Sequence, residues 1–256
     1  MAVVIITGCS SGFGLATALA FARRGDRVHA TMRNPHAADD LSAAAAAEGL
    51  RLELRALDVT DASSVAQAVG GVLEADGRID VLVNNAGIAR MGAVEALGID
   101  EARSVFETNL FGPLRLIQAV LPAMRGQGEG VVVNVSSMAG RLPGSPANWA
   151  YSASKHALES LSDSLAEEVR PFGIRVVCVE PGFFRTDVVR KGGRLPKASP
   201  YRDLEKQAAA WYASGVATGG DPAVVAAAIV AAVEDPASPL HLPVGADAVS
   251  AISGGS

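Results

Sequence analysis

One stretch near the amino terminus decides the fold, and it reads Val3-Val4-Ile5-Ile6-Thr7-Gly8-Cys9-Ser10-Ser11-Gly12-Phe13-Gly14-Leu15. Its four consecutive branched apolar residues predict a strand that is buried on both faces. Leu15, Leu19 and Ala22 then recur at helical spacing, so the glycines occupy a turn between a strand and a helix. Strand, glycine turn and helix together predict the start of a βαβ unit.

The glycine turn predicts a binding site for a dinucleotide. Gly8 permits a tight turn, Gly12 lets the backbone approach a phosphate, and Gly14 allows the helix to pack against the sheet. Exposed amides and the dipole at the helix start favour a pyrophosphate. The alternative is a glycine-rich turn without a ligand, and the flanking strand and helix argue against it. The candidate contacts in this turn are Gly8, Ser10, Ser11, Gly12, Phe13 and Gly14.

Short apolar runs recur along the whole chain, with segments of helical spacing between them. This alternation predicts an α/β fold, namely a doubly wound, Rossmann-type parallel sheet flanked by helices, with ligands bound at the carboxyl edge of its strands. No linker divides residues 1–256, which favours a single domain. The predicted strands are Val3–Ile6, Arg27–Thr31, Leu50–Leu57, Ile79–Val83, Val131–Val135, Ile174–Val179 and a weak one at Leu240–Leu242.

The least regular part of the sequence runs from Gly182 to Gly220 and includes Gly192-Gly193, Pro196 and Pro200. A long insertion after a strand's carboxyl end is a candidate lid over a ligand site, here covering residues 183–220. The alternative is a variable surface excursion without function.

Composition excludes several classes of protein. The 256 residues carry 22 basic and 27 acidic side chains, a net charge of −5, so no broad basic surface exists for nucleic acid or an anionic membrane. No apolar run approaches the ~18 residues of a membrane span. Cys9 and Cys178 show no metal-ligand or disulfide-framework spacing, which predicts free thiols in a reducing compartment. The amino terminus lacks a basic segment before its apolar run, so we expect a cytoplasmic protein.

Arg33 indicates which dinucleotide binds. NAD-selective sites often carry an acidic residue at the end of the second strand, where it binds the ribose 2′-hydroxyl. That place falls near Met32-Arg33, which holds no carboxylate. A guanidinium binds phosphate bidentately, so Arg33 favours NADP(H), with NAD(H) as the second choice. The alternative is that Arg33 is simply solvated.

Further motifs follow the glycine turn along the chain. The set is Thr7-Gly8-x-x-x-Gly12-x-Gly14, Asn84-Asn85-Ala86-Gly87, Asn109, Ser137, Tyr151-x-x-x-Lys155 and Pro181-Gly182-x-x-x-Thr186. Together these motifs resemble those of the short-chain dehydrogenase/reductase family over residues 3 to about 190. The resemblance implies a seven-stranded Rossmann-type domain that oxidises alcohols or reduces carbonyls with a nicotinamide cofactor.

Tyr151 and Lys155 lie four residues apart and therefore share one face of a helix. A phenol with a pKa of about 10 is a poor base at neutral pH, and a neighbouring ammonium is expected to lower that pKa. Tyr151 can then exchange a proton with the substrate oxygen. Ser137 follows a predicted strand and can bond the same oxygen, although Ser136 next to it is an alternative. The resemblance implies that Lys155 also binds the nicotinamide ribose and that Asn109 holds a water that relays protons to Lys155.

The resemblance also assigns residues around the cofactor. Asp58, followed by Val59, is similar to an adenine-binding aspartate, although it could instead belong to a helix cap with Thr60. His36, His156 and His241 show no metal spacing, so no metal site is predicted. An apolar substrate pocket is expected from Phe183, Phe184, Trp149, Trp211 and Tyr212. The remaining predicted cofactor contacts are Asn85, Ala86, Gly87, Tyr151, Lys155, Pro181, Gly182, Phe184 and Thr186.

The sequence therefore predicts an oxidoreductase that transfers hydride between NADP(H) and an apolar secondary alcohol or ketone. The alternative is a non-catalytic NADP(H)-sensing module of the same fold, since fold does not determine function. An epimerase or dehydratase is disfavoured because only about 70 residues follow Pro181-Gly182, whereas such relatives usually carry a larger carboxyl-terminal region. The resemblance implies a homodimer or homotetramer, and Ala153 and Ala157 are small enough to permit helix packing between subunits.

Overall fold

The computed structural model describes residues 1–186, 195–196 and 198–254. Its described strands form one sheet of seven parallel strands in the order β3-β2-β1-β4-β5-β6-β7, which confirms the doubly wound parallel sheet. The strands are β1 Val3–Thr7, β2 Arg27–Met32, β3 Glu53–Ala56, β4 Val81–Asn84, β5 Gly130–Val135, β6 Ile174–Pro181 and β7 His241–Val244.

The helices follow the strands in alternation. N-cap residues explain where two of the helices begin. Asp61 accepts a hydrogen bond from Ser63 N at the start of α3, and Asp221 accepts one from Ala223 N at the start of α8. The described helices are α1 Gly12–Arg23, α2 Asp39–Ala47, α3 Ala62–Asp76, α4 Ile99–Phe106, α5 Gly112–Gln127, α6 Trp149–Val169, α7 Arg202–Thr218, α8 Pro222–Glu234 and α9 Ala246–Gly254. None of them is long and apolar enough to cross a membrane.

The helices cover both faces of the sheet and bury two apolar layers. One layer contains Leu19, Phe21 and Ile229 against β1, β2 and the other central strands. The opposite layer contains Val69, Leu116 and other residues of α3, α5 and α6. Because both faces are buried, the central strands read as continuous apolar runs. The carboxyl ends of all seven strands therefore lie at one edge, where a ligand site is expected.

The segment after β6 is more regular than the sequence suggests. Its ends meet where Gly220 N donates to Phe183 O at 2.9 Å and Arg185 N donates to Gly220 O at 3.0 Å. Between them, Arg202–Thr218 forms helix α7, so this part is regular although the stretch is the least regular in the sequence. The sequence Gln207-Ala208-Ala209-Ala210 favours a helix, and the many Gly and Pro residues upstream obscured it. Gly192 and Gly193 lie outside the described residues.

Candidate active site

A cavity of about 690 Å³ opens at the carboxyl edge of the sheet and collects most of the predicted site. Among the predicted catalytic and cofactor-binding residues, Gly14 and Asn109 do not line it. The predicted residues that do line it are Gly8, Ser10, Ser11, Gly12, Phe13, Arg33, Asp58, Val59, Asn85, Ala86, Gly87, Ser137, Tyr151, Lys155, Pro181, Gly182, Phe184 and Thr186. Residues far apart in sequence thus meet in one place.

The glycine turn lies close to the end of β4, and its backbone conformations favour glycine. Gly8 has a φ of +74° and Gly12 a φ of +60°, conformations that favour glycine. A Cβ on Gly8 would lie 2.9 Å from Ala86 Cα, and one on Gly12 would lie 3.4 Å from Thr186 Cβ. The turn therefore forms a cradle of bare backbone, as a pyrophosphate requires.

Asn85 ties this turn to the end of β4. Its Nδ2 donates to Thr7 O at 2.7 Å and to Gly8 O at 3.3 Å. In return, Thr7 Oγ1 accepts from Asn85 N and Ala86 N, each at 3.0 Å. Asn85 is thus a structural tether of the cradle rather than a simple turn residue.

The two cysteines take no part in this chemistry. Both are free and buried. Burial raises the pKa of the Cys9 thiol to about 12, so Cys9 stays protonated inside the turn and acts as a small apolar residue.

Arg33 and Asp58 lie at the end of the cavity formed by β2 and β3. Arg33 is exposed, and no described residue forms an ion pair with it. Asp58 Oδ1 accepts from Thr60 N at 2.9 Å and from Thr60 Oγ1 at 2.8 Å. Asp58 therefore combines a place on the cavity wall with a local turn, whereas the helix cap itself is formed by Asp61.

Ser137, Tyr151 and Lys155 line the same cavity, with Tyr151 and Lys155 one turn apart on α6. Burial raises the pKa of Tyr151 to about 12, and a hydrogen bond with Ser137 opposes that rise. Lys155 is buried, and its Nζ donates to Val135 O at 2.8 Å while lying 5.7 Å from the centre of the Tyr151 ring. The expected lowering of the tyrosine pKa is therefore wrong for this state, because loss of water outweighs an ammonium that is directed at a backbone carbonyl.

Burial also lowers the pKa of Lys155 to about 8, partly offset by the nearby Glu159 carboxylate. Between pH 8 and 10.5 the unfolded chain binds this proton more often than the folded chain does, so Lys155 makes stability rise with pH. We expect the free energy of unfolding of wild type to rise relative to that of Lys155→Met as the pH is raised from 7 to 10. Chemical denaturation at several pH values measures it.

Lys206→Met controls for this experiment, because it removes one positive charge from an exposed position of α7. If both variants gave the same pH profile, the assignment of the effect to burial of Lys155 would be wrong.

Asn109 lies behind the cavity in a π-helical turn, Glu107–Phe111, of the kind often found at functional sites. Its Nδ2 donates to Ile88 O at 2.9 Å and to Ser154 Oγ at 3.0 Å, and its Oδ1 accepts from Ile88 N at 2.9 Å. Ser154 Oγ in turn donates to Tyr151 O at 2.7 Å. These contacts favour a role in positioning α6 over the predicted role of the side chain in holding a water.

The apolar side of the cavity differs from the prediction at one residue. Phe183 packs edge-on against Trp211 and Tyr212, with ring centres 5.1 and 6.0 Å apart. Trp149 does not line the cavity; it packs against Leu97, Ala102 and Ala150 below α4. Its place at the start of α6, close to Tyr151 in sequence, suggests a pocket residue. Its position around the helix directs the side chain away from the cavity.

Sequence reasoning missed several residues of the cavity. Asn148 Nδ2 donates to the Tyr212 hydroxyl at 2.9 Å and so ties α7 to the start of α6. The preceding Ala147 has a φ of +58°, which is uncommon for alanine. No local pattern marks these positions. The other lining residues that were missed include Arg90, Met91, Thr108, Leu142, Pro143 and Val216.

The sequence of the chain also matches a family of known proteins. Residues 2–194 match the family model described as short chain dehydrogenase. The chain belongs to the short-chain dehydrogenase family. It is therefore related to oxidoreductases, as the motifs predict.

Curated short-chain dehydrogenase relatives share a large part of the sequence. The chain is 39% identical over 246 residues to Oxidoreductase BOA17 of Botryotinia fuckeliana, covering 95% of this chain and 89% of the relative. It is 44% identical to the uncharacterized oxidoreductase YusZ of Bacillus subtilis, over 73% of this chain and 66% of that protein. It is also 44% identical to human 17-beta-hydroxysteroid dehydrogenase type 1, over 74% and 58% respectively. The alignment thus spans less than two thirds of these last two relatives.

Solved short-chain dehydrogenase structures show the same architecture. One from Streptomyces avermitilis has a TM-score of 0.88 and 44% identity, over 99% of this chain and 92% of that one. One from Burkholderia phymatum in complex with NAD has a TM-score of 0.88 and 27% identity, over 99% and 91%. A metagenomic short-chain oxidoreductase in complex with NADP has a TM-score of 0.76 and 28% identity, over 94% and 96%. Neighbours therefore bind either form of the nicotinamide cofactor.

Proposed function

We propose that this short-chain dehydrogenase transfers hydride between NADP(H) and an apolar secondary alcohol or ketone. The observation that carries the proposal is that Ser137, Tyr151 and Lys155 line the same cavity as the glycine turn. The residues present fit a dinucleotide, because Gly8 and Gly12 line the cavity in backbone conformations that favour glycine and leave bare backbone at the start of α1, where a phosphate can approach the amides.

The proposed chemistry divides among three side chains. A bound nicotinamide would supply or accept the hydride. Ser137 would bond the substrate oxygen and steady the charge that develops on it. Tyr151 would donate a proton to that oxygen during reduction and accept it during oxidation. Lys155, directly behind it on α6, would hold the ribose and exchange the proton with Tyr151.

NADPH oxidation with a panel of apolar ketones tests the activity. We expect turnover that depends on the ketone, and chiral analysis of the alcohol identifies the product. Tight NADPH binding without turnover on the whole panel would instead favour the NADP(H)-sensing module.

The NADP(H) preference is proposed from Arg33. Its guanidinium is exposed on the cavity wall and no carboxylate stands at the end of β2. We expect wild type to show a lower KM for NADPH than for NADH, and Arg33→Ala to raise the KM for NADPH about 10-fold or more, as the loss of a charge-assisted hydrogen bond worth ~1.5–3 kcal/mol implies. Steady-state kinetics with both cofactors measure this.

Arg51→Ala is the matched control, because Arg51 is exposed and does not line the cavity. Its KM for NADPH should equal that of wild type. Equal KM values for NADPH and NADH in wild type would contradict the proposed preference.

The apolar substrate is proposed from the apolar part of the cavity lining. This part includes Phe183, Trp211, Tyr212, Leu142 and Val216. We further propose that the segment 183–220, of which the structure describes residues 183–186, 195–196 and 198–220, forms a lid. Its helix α7 carries Trp211, Tyr212 and Val216 at the cavity, and its two ends are joined where Gly220 N donates to Phe183 O. The relationship to a hydroxysteroid dehydrogenase supports a bulky apolar substrate.

A further inference from the structure

Four potential metal ligands lie between α6, β6 and β7, and none of them lines the active-site cavity, although Glu159 and Cys178 are close enough to Lys155 to affect its pKa. This polar cluster consists of Glu159, Cys178, Glu180 and His241. Cys178 and Glu180 are two apart in β6 and so face the same side of the sheet. His241 lies beside Cys178 in the parallel register of β7, and Glu159 reaches both from α6. One ligand atom each from Glu159, Cys178 and His241 lies within 4.8 Å of the others.

Two buried carboxylate oxygens in the polar cluster have no hydrogen-bond partner among the described residues. They are Glu159 Oε1 and Glu180 Oε2, from residues that are 5% and 0% exposed. Burying such an oxygen without a partner is costly. Arg141 Nη1 lies 3.3 Å from the other oxygen of Glu180, so it neutralises only part of this charge. A cation bound by these two carboxylates would compensate their negative charge, so that neither would remain an uncompensated buried charge.

His241 is oriented as a metal-binding histidine is. Its Nδ1 lies 3.1 Å from Glu159 Oε2 and 2.9 Å from Glu180 Oε1, although one ring nitrogen carries at most one proton. Its Nε2 lies 2.8 Å from Oδ1 of Asp163, a residue one turn after Glu159. A carboxylate on the far nitrogen of a histidine fixes its tautomer and aims the near nitrogen at a metal.

We propose that the polar cluster is a structural Zn²⁺ site with Glu159, Cys178, Glu180 and His241 as its four ligands. Zinc takes four ligands of carboxylate, thiolate and imidazole type, and a site filled by four protein ligands is structural. On binding, the Cys178 thiol would release its proton to solvent, and neither the zinc nor the sulfur would change oxidation state. The ion would fasten the edge strand β7 to α6. The wide sequence separation of the ligands explains why no metal motif is visible in the sequence.

Metal content and Co²⁺ spectroscopy test this site. Untagged full-length protein is treated with chelator, given one equivalent of ZnCl₂, dialysed and analysed by mass spectrometry. We expect one zinc per chain and a higher Tm with zinc than without it, because a ligand that binds only the folded state stabilises it. Titration with CoCl₂ should give a thiolate-to-cobalt charge-transfer band. The proposal is overturned if no zinc is retained or if the cobalt spectrum lacks that band.

Variants identify the ligands. Cys178→Ser should abolish the charge-transfer band, whereas Cys9→Ser should keep it, since Cys9 lies in the glycine turn. His241→Gln should weaken binding, whereas His156→Gln, on the exposed side of α6, should not. Asp163→Asn should weaken it about 10–100-fold.

Asp163 lies largely in solvent, so its variant should fold even if a buried substitution does not. Equal metal affinity in Asp163→Asn and wild type, or an unchanged band in Cys178→Ser, would overturn the assignment. These readouts do not depend on turnover, so they separate this proposal from the proposed oxidoreductase function.

Discussion

Tyr151→Phe should lower kcat for ketone reduction by about 10²–10⁴-fold, the usual contribution of a positioned acid. The substitution removes the hydroxyl that would protonate the substrate oxygen but keeps the ring. Burial holds the pKa of Tyr151 at about 12, so the phenol is protonated at neutral pH and ready to donate. The affinity for NADPH should stay close to that of wild type. Single-turnover kinetics and a fluorescence titration with NADPH measure the two quantities separately.

Tyr212→Phe is the matched control for this experiment. Tyr212 lines the same cavity, but its hydroxyl accepts from Asn148 Nδ2. Losing that contact should loosen α7 and act mainly on KM for the ketone. A Tyr151→Phe enzyme with wild-type kcat, or equal losses in the two variants, would mean that Tyr151 is not the acid.

The central sheet could be predicted well because its strands are buried on both faces. Val131–Val135 and Ile174–Val179 read as mostly apolar runs and became β5 and β6 with nearly the predicted bounds. Leu50–Leu57 became the shorter strand Glu53–Ala56. That strand lies at the edge of the sheet with mostly exposed side chains, so burial does not mark its ends.

The position of the candidate site could be predicted from the sequence, but the pKa values of its side chains could not. Glycine turns, strand ends and a helical spacing of four residues depend on local geometry, which brought Gly12, Ser137 and Tyr151 to one cavity. The pKa of Tyr151 depends on how much water the fold excludes and on where Lys155 Nζ points. Those properties arise from tertiary packing, which a sequence pattern does not contain.

Asn109 and the polar cluster show the same limit. The hydrogen bonds of Asn109 to Ile88 and Ser154 join segments far apart in sequence. His241 meets Glu159 only because β7 pairs with β6 beneath α6. Sequence spacing identifies ligands that lie in the same helix, strand or loop. It misses ligands that only tertiary contacts bring together.

Gly14→Ala should weaken NADPH binding by at least about tenfold, equivalent to ~1.4 kcal/mol. Gly14 does not touch the cavity, but a Cβ there would lie within 2.5 Å of Asn85 Nδ2 and closer still to Gly8 O. Asn85 cannot move away freely, because the same Nδ2 holds Thr7 O at 2.7 Å. The methyl group would therefore displace the turn that forms the phosphate cradle. Isothermal titration with NADPH measures the loss, and overpacking should also cost ~1–3 kcal/mol of stability.

Gly70→Ala separates this steric effect from helix propensity. Both glycines lie in helices, α1 and α3, and alanine is the better helix former by up to ~1 kcal/mol. A Cβ on Gly70 would meet nothing within 4 Å, so Gly70→Ala should raise the Tm and leave NADPH affinity unchanged. If Gly14→Ala were also stabilised and bound NADPH normally, the close approach of α1 to the glycine turn would not be what shapes the cofactor site. A lower Tm in Gly14→Ala together with a higher Tm in Gly70→Ala would show that the steric contact at Gly14 outweighs the gain in helix propensity from alanine.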